Sequence, residues 1–308
     1  MQIINQSCVL QDQTEFTLTD TLKQIEKAAR VSYLSWDKTT EDSYDSFVNR
    51  LLNNKEYRPL EFGTIHFVVP TMEYNNFITT LNSHHLYSPL WVKENIILEE
   101  SLVYITTNYR IFNEMLNKCP SLLEYLDDEI EANEDYYAKF PVRHTIHFTL
   151  ARGILDEFRT HIGFSHMASS TRYINLSKDK FGKQVNIVKP CMFDMPLGIY
   201  TINENSDIFI NGIPYITNDK RQLPFIKQMI YTENTYFILL ERGLKPQEAR
   251  DILPLSIESH LFMCGFNDMW NNFFKLRCAS NAHPMAREIA MKANEMLHNV
   301  DKEIAMYS

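Results

Sequence analysis

The residues best suited to chemistry crowd into Arg152–Gly182, which holds Glu157, His161, Ser165, Ser170 and Arg172. Ser and Thr hydroxyls donate to oxyanions, and a guanidinium grips a phosphate with two parallel hydrogen bonds. The run Ser169–Ser170–Thr171 followed by Arg172 therefore reads as an anion site. Arg250 and Arg277 stand in later stretches, and either one taken alone is a surface ion pair. Ser170 is equally a helix-end hydroxyl with no ligand, and Glu157 equally a surface carboxylate. His161, on an apolar helix face, reads first as a core residue. His84 and His85 are adjacent in a polar loop, and no metal is assigned to them.

The elements that must position these groups follow from periodicity. A helix opens at Arg152, with Ile154, Phe158, His161 and Ser165 on one side and Leu155 and Ile162 beside them. It is expected to fray near Gly163 and end before Ser169. Val142–Leu150 is a strand running straight into it, with His144 and His147 on opposite faces. Upstream, Gln2–Leu10 alternates as one strand, Thr19/Asp20 caps a helix reaching Tyr33, and Asp42–Asn53 is a second helix. Leu60–Pro70 is a strand entered by a turn at Gly63, with Phe62 as a core aromatic. Thr71–Ile97 has no legible period. Ser101–Leu116 is a strand leading into a helix, on which Arg110 is a ligand contact or a surface salt bridge. The acidic run Glu124–Asp135 is a solvated face or loop. Downstream come a strand at Val185–Lys189, a loop-rich stretch at Met192–Asp219 and helices at Pro224–Gly243 and Pro246–Leu253. Ser256–Met263 is a strand, Asn267/Asp268 caps Met269–Leu276, and Pro284–Val300 is an amphipathic helix.

Composition bounds the function. The net charge of −9 disfavours a nucleic-acid polymer as partner, while a local arginine cluster still suits a small anion. Cys8, Cys119, Cys191, Cys264 and Cys278 are odd in number and widely spaced. That pattern reads as reduced thiols in a cytoplasmic protein, without zinc or disulfides. Neither a signal peptide nor a membrane span is expected.

Thr160-His161-Ile162, then the seven residues Gly163 to Ser169, then Ser170-Thr171-Arg172-Tyr173, resembles a known signature. It is that of the flavin-dependent thymidylate synthases: Arg-His-Arg, seven or eight residues, then Ser-x-Arg-Tyr. Ser165 is in register, and Ser170–Gly182 looks very like one bacterial and phage branch. Ala249–Leu255 resembles the family's Ala-Arg-x-x-Leu-Pro-Leu, and the likeness continues through Trp270–Arg277 and Ala282-His283-Pro284. Ile25–Tyr33 and Ser101–Leu116 also resemble family segments. The likeness is weak over Thr71–Glu99 and Met192–Asp219. Several positions depart from the pattern. Thr160 and Ile162 replace the two signature arginines, with Arg159 one residue early. Met167-Ala168-Ser169 replaces a polar pair, and Phe62 replaces a His after Glu61. An Asn placed near Phe266 is shifted to Asn267, while Asn272 is in register.

The resemblance implies an α/β (α+β) fold, a mixed or antiparallel sheet flanked by long helices, in one domain over residues 1–308. It implies methylation of dUMP at C5, with the methylene from methylenetetrahydrofolate, hydride from reduced FAD, and NADPH to reload the flavin. By register, Glu157, Ser170, Arg172, Arg250 and Arg277 bind dUMP or a related pyrimidine nucleotide, with Ser170 and Arg277 nearest the chemistry. His161, Ser165, Asn272 and His283 fall on the flavin side. Three arginines in register make chance a poor account, and they are expected to converge. The losses are all on the flavin side, so FAD is expected to bind weakly. Two alternatives follow: a flavin-independent pyrimidine nucleotide C5 (hydroxymethyl)transferase, and a non-catalytic nucleotide-binding paralogue. A homotetramer with sites at subunit junctions is implied.

Overall fold

The backbone alternates along one long central strand, and that alternation decides which residues face the site. The structure, a computed structural model, describes residues 1–121 and 134–307. The acidic run Glu124–Asp135 lies almost wholly outside the described residues.

In chain order, β1 (Gln2–Ile4) and β2 (Ser7–Leu10) precede α1 (Leu18–Ala29) and α2 (Ser43–Asn53). Then come β3 (Thr64–Pro70), α3 (Thr71–Ser83), β4 (Lys93–Ile97), β5 (Leu102–Asn108) and α4 (Tyr109–Lys118). After α5 (Glu134–Tyr137) the chain forms β6 (Arg143–Ala151), α6 (Arg152–Phe158), β7 (Ser165–Ala168) and β8 (Asn186–Val188). Next are β9 (Gly198–Ile202), β10 (Ile208–Ile210), β11 (Ile213–Pro214), α7 (Gln222–Glu241) and α8 (Pro246–Ala249). Last come β12 (Glu258–Phe266), α9 (Asn267–Arg277) and α10 (Pro284–Val300).

The central sheet has the order β2-β6-β12-β7 and is antiparallel throughout. A second sheet, β11-β10-β9-β1-β8, is mixed, because β1 runs parallel to β8. The third, β3-β5-β4, is antiparallel. The expected mixed and antiparallel α/β class is the observed one. Along β12, Leu261 and Met263 join Trp270, Phe273 and Ile289 in the core beneath α9 and α10. Their neighbours Phe262 and Cys264 point the other way, onto Ala28, Val31 and Phe62. Phe62 is fully buried, as a core aromatic should be. At Gly265 a Cβ would sit 2.7 Å from the Phe164 ring, so only glycine admits that packing.

Three expectations are corrected. The helix from Arg152 ends at Phe158, before the fraying expected near Gly163. The Thr160 hydroxyl donates back to the Glu157 carbonyl at 2.7 Å. Gly163 then takes φ +100, and the chain turns into β7, which pairs with β12. Ser165 is thus a strand residue, and Ile162 is 88% exposed. Gln2–Leu10 is two strands in different sheets. Within Met192–Asp219 lie three strands, because Asn211-Gly212, both at positive φ, forms the two-residue turn between β10 and β11. Thr71–Ile97, which showed no period, holds α3 and β4.

His144 ties the ends of the chain to the central sheet. Its Nδ1 meets Asp12 at 2.5 Å and its Nε2 meets Asp301 at 2.9 Å. Burial lowers the imidazole pKa, but the two carboxylates outweigh it and the net shift is upward. A raised folded pKa stabilises below the unfolded value of about 6.5 and loses that contribution as pH rises through the folded value. Asp301 has the opposite sign. Burial raises its pKa, hydrogen bonding from His144 outweighs that, and its contribution fades only as pH falls through its lowered value. The destabilisation caused by His144→Gln should therefore be larger at about pH 5.5 than at about pH 9. Urea melts at both pH values check this, and a cost that grows with pH would refute it.

Candidate functional site

Four arginines from three parts of the chain meet at one cleft. Its volume is about 250 Å3, and Arg58, Arg152, Arg159 and Arg250 line it with Ser32, His166 and residues 169–171. Arg152 opens α6 and Arg159 caps its end seven residues on, so they share one side of it. Arg58 opens the 3-10 turn Arg58–Phe62, which Pro59 favours at its start. Arg250 begins the turn that follows α8. Among the described residues, the side chains of Arg58 and Arg159 have no hydrogen-bond or ion-pair partner. Two unpaired guanidiniums beside hydroxyls have the chemistry to hold an anion.

The hydroxyl wall is held from two sides. The Ser169 amide donates to the His260 carbonyl and its Oγ accepts from the His260 amide, both at 2.9 Å. The Ser170 amide donates to the Ser32 carbonyl at 3.2 Å. His166 is buried, and its Nε2 has no partner within the chain. Burial, with Arg159 and Arg58 nearby, pushes its pKa down to about 4, so the ring is neutral near pH 7.

Arg277 sits in a different cluster. Its Nε–H donates to His161 Nε2 at 2.8 Å, and Nη1 donates to Glu157 Oε2 at 3.0 Å. Nη2 donates to the Glu157 carbonyl at 2.9 Å and to the Thr160 hydroxyl at 3.3 Å. His161 must accept here, which requires a neutral ring; burial and then Arg277 lower its pKa to about 4. Its edge also packs on Phe273 at 4.9 Å. The expected convergence of Arg172, Arg250 and Arg277 is thus not found within one chain. Arg250 is in the cleft, while the exposed Arg172 donates to Gln247 at 3.2 Å.

Ser170 lines the cleft. On the flavin side, Ser165 is buried on β7, Asn272 is exposed on α9, and His283 caps α10 by accepting from the Met285 amide at 3.3 Å. The arginine cleft is lined by none of these three, nor by His161. Arg110 is a salt bridge, paired with Glu61 at 2.7 Å and Glu114 at 3.2 Å. Sequence reasoning missed Arg58, Arg152 and His166 as site residues. The spacing of Arg152 and Arg159 was a usable signal. Arg58 and His166 carry none, because only the fold brings them together.

The model of the family described as thymidylate synthase complementing protein matches residues 141–303, and the chain belongs to that family. It is a family of dUMP-modifying transferases. Two solved structures aligning with 99% of this chain are of a UMP/dUMP methylase, PolB, from Streptomyces cacaoi. The one bound with 5-Br UMP is 12% identical, with a TM-score of 0.44 and 94% of that chain covered. The one bound with 5-Br dUMP is 14% identical, with a TM-score of 0.43 and 95% covered. No curated protein matches the chain by sequence.

Proposed function

We propose that this protein binds dUMP or a close pyrimidine nucleotide and transfers a one-carbon unit from methylenetetrahydrofolate to C5. The observation that carries this reading is the cleft in which unpaired Arg58 and Arg159 face Ser170 and Arg250. A phosphate dianion there gains charged hydrogen bonds and relieves repulsion among the cations. Ser170 and Arg250 orient the phosphate, and Arg172 joins them on release from Gln247. The C5–H leaves as a proton once the one-carbon unit is attached, and the ring carbonyls carry the developing charge. Cationic donors stabilise that charge. The Arg277 cluster with Glu157 and His161 fixes the turn that presents Arg159.

In the family, reduced flavin supplies the hydride that converts the attached methylene to methyl. Within one chain, the residues that the resemblance assigns to the flavin side are engaged elsewhere. Thr160 and Ile162 face solvent or their own helix end, His161 is engaged by Arg277, and Phe62 is core. That favours weak flavin binding, and it supports a second reading in which water, not hydride, completes a hydroxymethyl product. A protein purified without added FAD is expected to be largely colourless. Stoichiometric yellow flavin after gel filtration would remove the second reading. Tritium release from C5-labelled dUMP with methylenetetrahydrofolate tests both against a non-catalytic paralogue, which releases none. We place the assembly as a homotetramer, which sedimentation tests.

A further inference from the structure

A second cavity, of about 400 Å3, adjoins the arginine cleft, and Ser169 and Thr171 line both. Two residues of chain span at most about 7 Å, so the cavities are neighbours across one short wall. The second is apolar on its sides, with Trp36, Ile174 and Leu253, and polar on its floor, with Asn186, Glu258 and His260. This combination suits a flat heteroaromatic ring.

The floor is wired so that it accepts hydrogen bonds. His147 Nε2 lies 3.0 Å from His260 Nδ1, with the Thr149 hydroxyl at 3.3 Å from the same nitrogen. His260 Nε2 lies 3.5 Å from Glu258 Oε1. Asn186 Nδ2 donates to Glu258 Oε2 at 2.8 Å. Since the Asn186 amide must point its NH2 at the carboxylate, its Oδ1 is fixed as an acceptor, and that buried oxygen has no partner. Burial raises the Glu258 pKa, but hydrogen bonding from His260 and Asn186 outweighs it, so the carboxylate stays ionised. Burial and then His260 bring His147 down to about 3, leaving it neutral. The floor therefore offers one anionic acceptor, the Glu258 carboxylate, held in place by Asn186 and His260.

We propose that this cavity is the ring-binding site of the protein, and that Glu258, held in place by Asn186, reads an N–H donor edge on a flat heteroaromatic ligand. Two sources carry such an edge under the function proposed above, on which their identity rests: the base of the nucleotide, through its ring N–H, and the 2-amino-4-oxo edge of a reduced pterin. Glu258→Gln replaces the anion by a neutral amide of equal size. It should weaken the ring ligand by roughly tenfold or more, the scale of a lost charged hydrogen bond.

The experiment is calorimetric titration of wild type, Glu258→Gln and Leu253→Trp with inorganic phosphate, dUMP, dCMP and tetrahydropterin. Leu253→Trp narrows the cavity from its apolar lining and keeps the carboxylate, and far-UV circular dichroism checks that each variant folds. The expected result is that both variants lose affinity for a ring-bearing probe and keep their affinity for phosphate. A loss confined to the nucleotides assigns the base, and a loss confined to tetrahydropterin assigns the one-carbon donor. Unchanged affinities in both variants, or wild-type binding of nucleotide no tighter than phosphate with tetrahydropterin silent, would overturn the proposal. Failure of phosphate to bind any form would instead remove the reading of the arginine cleft, and the tetrahydropterin titration would still be decisive here.

Discussion

Replacing Arg58 and Arg159 together by alanine should reduce dUMP affinity by about 100-fold. Each guanidinium is open to water, so a value near the low end for charged hydrogen bonds, about 1.5 kcal/mol, is appropriate to each. Two such losses multiply to about two decades. Nucleotide added at a concentration that raises the melting temperature of wild type should leave the double variant nearly unshifted. Without ligand, the variant should melt no lower than wild type, because neither side chain has a partner to lose. Raising the salt should weaken the wild-type shift more than that of the variant. Thermal melts with dUMP, dTMP, dCMP and phosphate measure all of this. A dUMP shift that survives the double substitution would move the phosphate elsewhere, and the proposed function would lose its main support.

Trp270→Ala should cost about 3–5 kcal/mol, a large part of the 5–15 kcal/mol that holds a typical domain folded. Trp270 is fully buried between Phe164 at 4.7 Å and Phe274 at 5.6 Å. Its Nε1–H donates to the His144 carbonyl at 3.1 Å, so truncation leaves both a cavity and a buried acceptor without its partner. The indole joins α9 to β6, and α9 carries Arg277 at its far end. The loss should therefore loosen the cluster of Arg277 with Glu157 and His161 as well as the core. Chemical denaturation monitored by circular dichroism gives the cost directly. A cost below about 1 kcal/mol would mean that the core around α9 closes over the gap.

Much of the architecture was written in local pattern. Pro284–Val300 kept its boundaries because its apolar positions repeat at the helical period and Pro284 suits a first turn. The faces of His144 and His147 followed from alternation alone, and the structure puts the His144 ring between Asp12 and Asp301 and the His147 ring against Phe262. The family was legible in residues 141–303, where the motifs lie. Asn211-Gly212 was legible too, but was read as loop where it is a hairpin turn.

The helix from Arg152 shows where local pattern stops deciding. Ile154, Phe158 and Ile162 keep helical spacing, yet β12 offers an unpaired edge to Ser165–Ala168, and pairing with it wins over continuing the helix. That break moves Ile162 to solvent and leaves Arg159, not residue 160 or 162, facing the cleft. The sequence by itself determined the class of fold, the family and the presence of arginines beside a hydroxyl run. Only the tertiary structure decided which arginines share a site. Arg58 and Arg159 lie far apart along the chain and meet through strand pairing and packing that no spacing encodes, while Arg277, in register with the family, spends its donors on Glu157, His161 and Thr160.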